Sequence, residues 1–184
     1  WNYLGVALSL KNRPPGIMFR PCVVYNEKTN MYVMWYEDRS ANSSGYTVAV
    51  SSTPQGPFVT KFVNVTMPGQ GRIGDFNIFV DDDGMAYHIR TGLDIVRLNK
   101  DFTGPESFVT SIQPPVPSEA PTLFKRRGIY YITSGSDCCV RWCIVREFAS
   151  HTHVKQIKRT GLYRRCQRPD LHVEYDIRPL DISR

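Results

Sequence analysis

Apolar positions along the chain come in short runs, separated by clusters of Asn, Asp, Gly, Pro and Ser. Three stretches share one layout: Arg20 to Glu37, Asp75 to Thr91 and Glu119 to Gly135. Each begins with a charged residue and runs through an apolar strand to an aromatic (Tyr25, Phe79, Phe124). A tight polar turn follows, then a second strand rich in aromatics (Tyr32, Tyr87, Tyr130). The turns fall at Asn26–Asn30, Asp81–Gly84 and Lys125–Gly128. Asp83-Gly84 and Arg127-Gly128 place glycine where a hairpin requires positive φ.

A third strand is expected after each hairpin, at Tyr46–Ser51, Leu93–Leu98 and Val140–Val145. A fourth is expected near Phe58–Val65 and Glu106–Ile112. The hairpin starts recur at intervals of 44 to 55 residues. Short antiparallel strands in such a repeat predict an all-β fold built of propeller blades. The second strand, Met31-Tyr-Val-Met-Trp-Tyr36, is apolar on both faces, as stacking between two neighbouring sheets requires. Propellers close with about four to eight blades, so this is an incomplete one of about three. Trp1–Leu10 reads as the tail of a preceding blade. Residues 147–184 show no inner hairpin, which leaves 144–184 an unassigned basic segment after a propeller part spanning 1–143.

Hydrophobic residues make up 41% of the chain and charged ones 22%, which excludes disorder as the dominant state. No apolar run approaches the roughly 18 residues that cross a bilayer. The net charge of +6 looks at first like a nucleic-acid signal, but its distribution argues otherwise. Residues 1–143 carry 14 basic and 12 acidic side chains, and 144–184 carry 9 and 5. The excess therefore lies in the C-terminal segment, at Lys158-Arg159 and Arg164-Arg165 among others, and reads as a solvated tail. No nucleic-acid partner is expected. Cys22, Cys138, Cys139, Cys143 and Cys166 lack the paired knuckles of a zinc site. Two sequons, at Asn42 and Asn64, together with the cysteines predict a secreted protein.

In a propeller the innermost strands line a central channel. The repeat places Arg20, Asp75 and Glu119 at equivalent positions at one end of it. Carboxylates are costly to bury unless paired or used. Two readings stand side by side: acid–base chemistry on a glycosidic bond, or a structural cluster in which Arg20 neutralises Asp75 and Glu119. Asp81-Asp82-Asp83-Gly84 lacks the alternating ligands of a calcium loop and reads as a turn. His88 reads as a packed or surface histidine, Trp35 and Trp142 as core, and His151-Thr-His153 as without metal ligands nearby. No metal or cofactor is implied.

An ordered series of strings resembles glycoside hydrolase family 43, in its β-galactosidase and exo-β-1,3-galactanase branch. The strings are Trp1-Asn-Tyr-Leu-Gly-Val-Ala-Leu8, Arg20-Pro21 with Val24-Tyr25-Asn26, Thr29 with Tyr32-Val-Met-Trp35, and Ala49-Val-Ser-Ser-Thr-Pro-Gln-Gly-Pro-Phe58. They continue with Gly74-Asp-Phe-Asn-Ile-Phe-Val-Asp-Asp-Asp-Gly84, Glu119-Ala-Pro-Thr-Leu-Phe124, and Tyr130-Tyr131 with Ser134-Gly135. The resemblance implies a five-bladed propeller and inverting hydrolysis of galactose-, arabinose- or xylose-containing polysaccharide. It implies Glu119 as general acid, Asp75 as the carboxylate that orients and tunes it, and Arg20 as a substrate-binding residue. The carbohydrate is the expected partner. In that family a general base comes from the first blade, which would precede Trp1. The 184-residue chain alone is accordingly expected to hydrolyse little. Phe19 stands where branch members read Glu, and this departure favours the alternative of a non-catalytic carbohydrate-binding propeller.

Overall fold

The computed structural model describes residues 2–39, 45–112, 118–136, 144–150 and 164–165; for 136, 144–150 and 164–165 it describes the backbone alone. Among the described residues, twelve strands form three four-stranded antiparallel sheets. The first contains β1 (Met18–Asn26), β2 (Met31–Asp38), β3 (Tyr46–Ser51) and β4 (Val59–Val65). The second contains β5 (Phe76–Val80), β6 (Ala86–Arg90), β7 (Asp94–Leu98) and β8 (Pro105–Ser111). The third contains β9 (Ser118–Arg126), β10 (Ile129–Ser136), β11 (Ile144–Ser150) and β12 (Arg164–Arg165). Spatial order follows chain order in every sheet, and β5 lies against both β1 and β9. This is the arrangement of part of a β-propeller, with β1, β5 and β9 innermost.

The hairpins close where the turn residues predict. Asn26 Oδ1 accepts the backbone N–H groups of Lys28 and Thr29, an Asx turn that bends the chain after β1. Gly84 has φ +74. Arg127 and Gly128 have φ 52 and 78, the two left-handed residues of a two-residue turn whose twist matches its strands.

Two segments lie outside the regular hairpins. Residues 2–9 form no strand. A lone strand needs a partner ladder, and here the Ala7 carbonyl accepts one backbone bond from Phe58 (2.7 Å), while Leu8 packs with Met34, Tyr36 and Phe58. The third strand of the third sheet is described at Ile144–Ser150, which overlaps the expected Val140–Val145 at its last two residues; residues 140–143 lie outside the described residues, and Arg164–Arg165 pairs beyond the strand. The register from Tyr130↔Ser150 to Ser134↔Arg146 pairs the strand with the middle of β10 and carries it past Val145 to Ser150. Trp1, Asn42, Cys138, Cys139, Cys143, Cys166, Trp142, His151, His153 and Lys158-Arg159 lie outside the described residues. Asn64, in the second sequon, is exposed on β4.

The sheets stack through apolar faces on both sides of the middle one. Val33, Trp35 and Val48 pack on Phe76, Ile78 and Val96, while Ile89 and Ile95 pack on Leu123 and Ile132. Trp35 is core, as its apolar run indicates. It is fully buried and donates its indole N–H to the Phe102 carbonyl at 2.7 Å, tying the first sheet to the second. At the far end of the channel strands, Lys125 reaches Asp81 (3.0 Å) and Asp82 (2.8 Å), which ties the second sheet to the third. The Asp81–Gly84 segment is thus a turn with a cross-sheet ion pair.

His88 is the exception in this apolar stack. It is fully buried, stacked on Phe76 (4.9 Å, 4°) and flanked by Tyr46 (4.8 Å) and Trp35 (5.5 Å). Burial, reinforced by the charge of Arg90, pushes its pKa down to about 3. The folded chain therefore keeps His88 neutral where the unfolded chain, with a pKa of about 6.5, takes up a proton. Stability from this group is fully present above about pH 6.5 and is lost as pH falls toward 3, by about 1.4 kcal/mol per unit. His88→Phe keeps the ring stack and removes the titration. Urea denaturation at pH 7 and pH 4.5 should show a stability loss about 2–3 kcal/mol smaller in the variant than in the wild type. Equal losses would mean that His88 does not resist protonation.

Candidate active site

Arg20 and Glu119 occupy matching irregularities near the starts of β1 and β9. The β1–β2 register shifts between Phe19 and Cys22, and the β9–β10 register shifts between Thr133 and Gly135, opposite Glu119 and Thr122. At these shifts Arg20 has φ 51 and Ala120 has φ 47. Left-handed non-glycine residues cost of order 1–3 kcal/mol each and persist only where surrounding structure enforces them. A bulge also takes a residue out of the strand ladder and re-aims its groups. Both effects bear on the same place.

Asp75 sits between them, one residue before β5. Its Oδ1 pairs with Arg20 Nε at 2.5 Å, and its Oδ2 accepts the Ala120 backbone N–H at 3.1 Å. The first sheet therefore supplies the cation and the third supplies the N–H. The Asp75 side chain is 16% exposed and that of Arg20 52%, so the ion pair lies at a surface with its guanidinium toward water. Glu119, half-buried, immediately precedes the residue whose N–H holds Asp75. The repeat-based expectation that Arg20, Asp75 and Glu119 meet at one end of the inner strands thus has a structural counterpart: Arg20 touches Asp75, and Asp75 touches the backbone beside Glu119. Phe19, next to Arg20, is 42% exposed. Among the described residues, no group of three or more His, Cys, Asp or Glu side chains is placed to hold a metal.

What delivers Asp75 is the segment from β4 to β5, and sequence reasoning missed its supports. Arg90 and Asp94, both buried, form an ion pair at 2.9 Å. Arg90 also donates to the Pro68 carbonyl (3.0 Å), and Asp94 Oδ2 accepts the Gly71 N–H (2.5 Å). A side chain on Gly69 would collide with the Asp94 carboxylate, and one on Gly71 with the Thr91 carbonyl. The segment lies so close to the ion pair that only glycine fits. Gly69-Gln-Gly-Arg-Ile-Gly74 carried the available signal: three glycines in six residues mark a close backbone approach. The string follows a strand but leads into another strand rather than a helix, so it is no dinucleotide turn. Thr91 completes the support, donating its N–H (2.8 Å) and its hydroxyl (3.2 Å) to the Asp75 carbonyl.

No protein-family model matches the sequence, and no curated protein matches it either. Solved structures do. The exo-β-1,3-galactanase of Phanerochaete chrysosporium, in complex with galactose, matches with a TM-score of 0.69 and 23% identity over 86% of this chain and 39% of that one. A variant of that enzyme matches equally well in complex with β-1,3-galactotriose. The exo-β-1,3-galactanase of Clostridium thermocellum matches with a TM-score of 0.67 and 26% identity over 79% of this chain and 35% of its own. A β-1,3-galactosidase of glycoside hydrolase family 43 matches with a TM-score of 0.71 and 26% identity, over 91% and 37%. The chain therefore spans less than two fifths of these structures. Its fold is that of part of a family 43 propeller, and the resemblance read from the sequence holds in three dimensions.

The buried pair under the glycine segment yields a prediction. Removing one partner of such a pair leaves an uncompensated buried charge, at a cost of about 3–5 kcal/mol, whereas replacing both by apolar residues is often neutral. Asp94→Ala should therefore destabilise the chain by about that amount in chemical denaturation. The double variant Arg90→Met with Asp94→Leu should recover most of it. A loss below about 1 kcal/mol for Asp94→Ala would mean that water reaches the pair.

Proposed function

We propose that this chain is part of a glycoside hydrolase that cleaves galactose-containing polysaccharide by inversion, with Glu119 as general acid. The observation that carries the reading is the Asp75 carboxylate held between Arg20 and the Ala120 N–H, one residue from Glu119. It is supported by the kinship in fold to propellers solved with galactose and β-1,3-galactotriose.

In this reading Glu119 gives its proton to the glycosidic oxygen as the bond to the anomeric carbon breaks. A water attacks the opposite face of the sugar and loses its proton to a second carboxylate. Such a pair stands about 6.5–9.5 Å apart to admit that water. We assign the second carboxylate to a residue preceding Trp1. Asp75, with both oxygens engaged, is suited to orienting the acid and tuning its protonation, and is poorly suited to attack. Arg20 keeps half its surface toward water, which leaves guanidinium N–H groups for a sugar hydroxyl.

A second reading, a sugar-binding propeller without turnover, draws on Phe19. An exposed phenyl ring beside a polar cluster suits stacking on the apolar face of a pyranose. One experiment separates the two. A protein extended upstream of Trp1 is assayed on β-1,3-galactan, with Glu119→Gln beside it. The first reading expects cleavage, and a loss of about 10²–10⁴-fold in the variant on substrates with poor leaving groups. Binding without turnover would establish the second reading, and cleavage indifferent to Glu119→Gln would overturn the assignment of the acid.

A further inference from the structure

Tyr46 opens β3 in the first sheet, far from Asp75 in sequence. Its ring is fully buried against Trp35 (6.4 Å), Phe76 (4.9 Å) and His88 (4.8 Å), so it has no freedom to turn. The phenol reaches across to the second sheet. It donates to the Gly74 carbonyl at 3.0 Å and accepts the Gly74 N–H at 3.2 Å. Burial pushes its pKa up to about 12, so the hydroxyl remains a donor throughout the neutral range.

The Gly74 carbonyl and the Asp75 nitrogen belong to one planar peptide unit. Holding that carbonyl fixes the backbone on the N-terminal side of the Asp75 Cα. Thr91 fixes the other side, through two hydrogen bonds to the Asp75 carbonyl. With both flanking peptide planes pinned, the direction of the Asp75 Cα–Cβ bond is set, and only its two side-chain torsions remain for its oxygens to find their partners. Thr91 belongs to the same sheet as Asp75, whereas Tyr46 belongs to the preceding one. The phenol therefore carries the packing of the first sheet into the orientation of the carboxylate.

We propose that Tyr46 is a positioning residue for Asp75: its hydroxyl, clamped on the Gly74 peptide, keeps the Asp75 carboxylate in the bridge between Arg20 and the Ala120 N–H. The proposal deepens the reading of this cluster as a sugar-cleaving site and rests on it for its catalytic consequence. Its geometric part is independent of turnover. A purely structural phenol would loosen the whole stack when lost, while a positioning phenol would loosen the bridge selectively.

Tyr46→Phe removes one oxygen and keeps the ring contacts. Amide hydrogen exchange by NMR on the 184-residue chain reads both possibilities. The Ala120 amide, which donates to Asp75, should exchange about tenfold faster in the variant, while amides of the β2–β3 and β5–β6 ladders stay within about twofold. Unchanged exchange at Ala120, or ladder amides accelerated by the same factor, would overturn the proposal. In a protein that cleaves β-1,3-galactan, Tyr46→Phe should lower kcat about tenfold with KM within about threefold. A rise in KM alone would contradict it. Glu119→Gln serves as the control: if cleavage ignores that substitution, the functional reading fails and the exchange result still decides the role of Tyr46.

Discussion

One carboxylate is held from three directions, and the local structure around it is arranged for that purpose. Asp75 belongs to the second sheet, its cation to the first, and its backbone donor to the third. Such an arrangement exists only if the three sheets stack in fixed register. The cross-sheet contacts, the buried bond from Trp35 to the Phe102 carbonyl and the partly exposed Lys125–Asp81 pair at the other end of the inner strands, are therefore conditions for the geometry around Asp75. The left-handed backbone at Arg20 and Ala120 has the same logic. Strain of this kind persists where the fold over-determines it, and both instances point at the same side chain.

The two ion pairs of this region do different things. Arg20–Asp75 is half in water, where such pairs contribute about 0–1 kcal/mol, so its role is orientation and charge balance more than stability. Arg90–Asp94 is fully buried, and the two atoms that form the pair, Arg90 Nη2 and Asp94 Oδ2, also bond the backbone at Pro68 and Gly71. Desolvation offsets much of its Coulomb attraction. What it contributes is a fixed path for the segment that ends in Asp75. The glycines at 69 and 71 are the steric counterpart of that path, since any larger residue would push the segment off the pair.

Much of this was legible in the sequence. The three hairpins and their turns follow from short apolar runs, aromatic second strands and glycine at positive φ, because these are local constraints. Arg20, Asp75 and Glu119 stood out because the repeat superimposes them. The support beneath them did not stand out. Tyr46 reads as one more core aromatic until its hydroxyl is seen to reach Gly74, a contact between sheets that no local pattern encodes. Thr91 and the Arg90–Asp94 pair are likewise set by how the β6–β7 turn meets the β4–β5 segment. The third strand of the third sheet runs on to Ser150, beyond the expected Val145, for a related reason. Its position is set by pairing with β10, while its own sequence, Ile-Val-Arg-Glu-Phe-Ala-Ser, alternates weakly.

In the proposed reading, Asp75, Arg20 and the backbone beside Glu119 form one sugar-facing site. Titration of the chain with β-1,3-galactotriose, followed by the NMR signals of the Ala120 amide and the Arg20 Nε–H group, tests it most directly. Both signals should shift together along one saturable curve, while signals at the opposite end of the inner strands, around Lys125 and Asp81, stay in place. Saturable binding that leaves Ala120 and Arg20 unmoved, or shifts centred on Lys125 and Asp81, would contradict it.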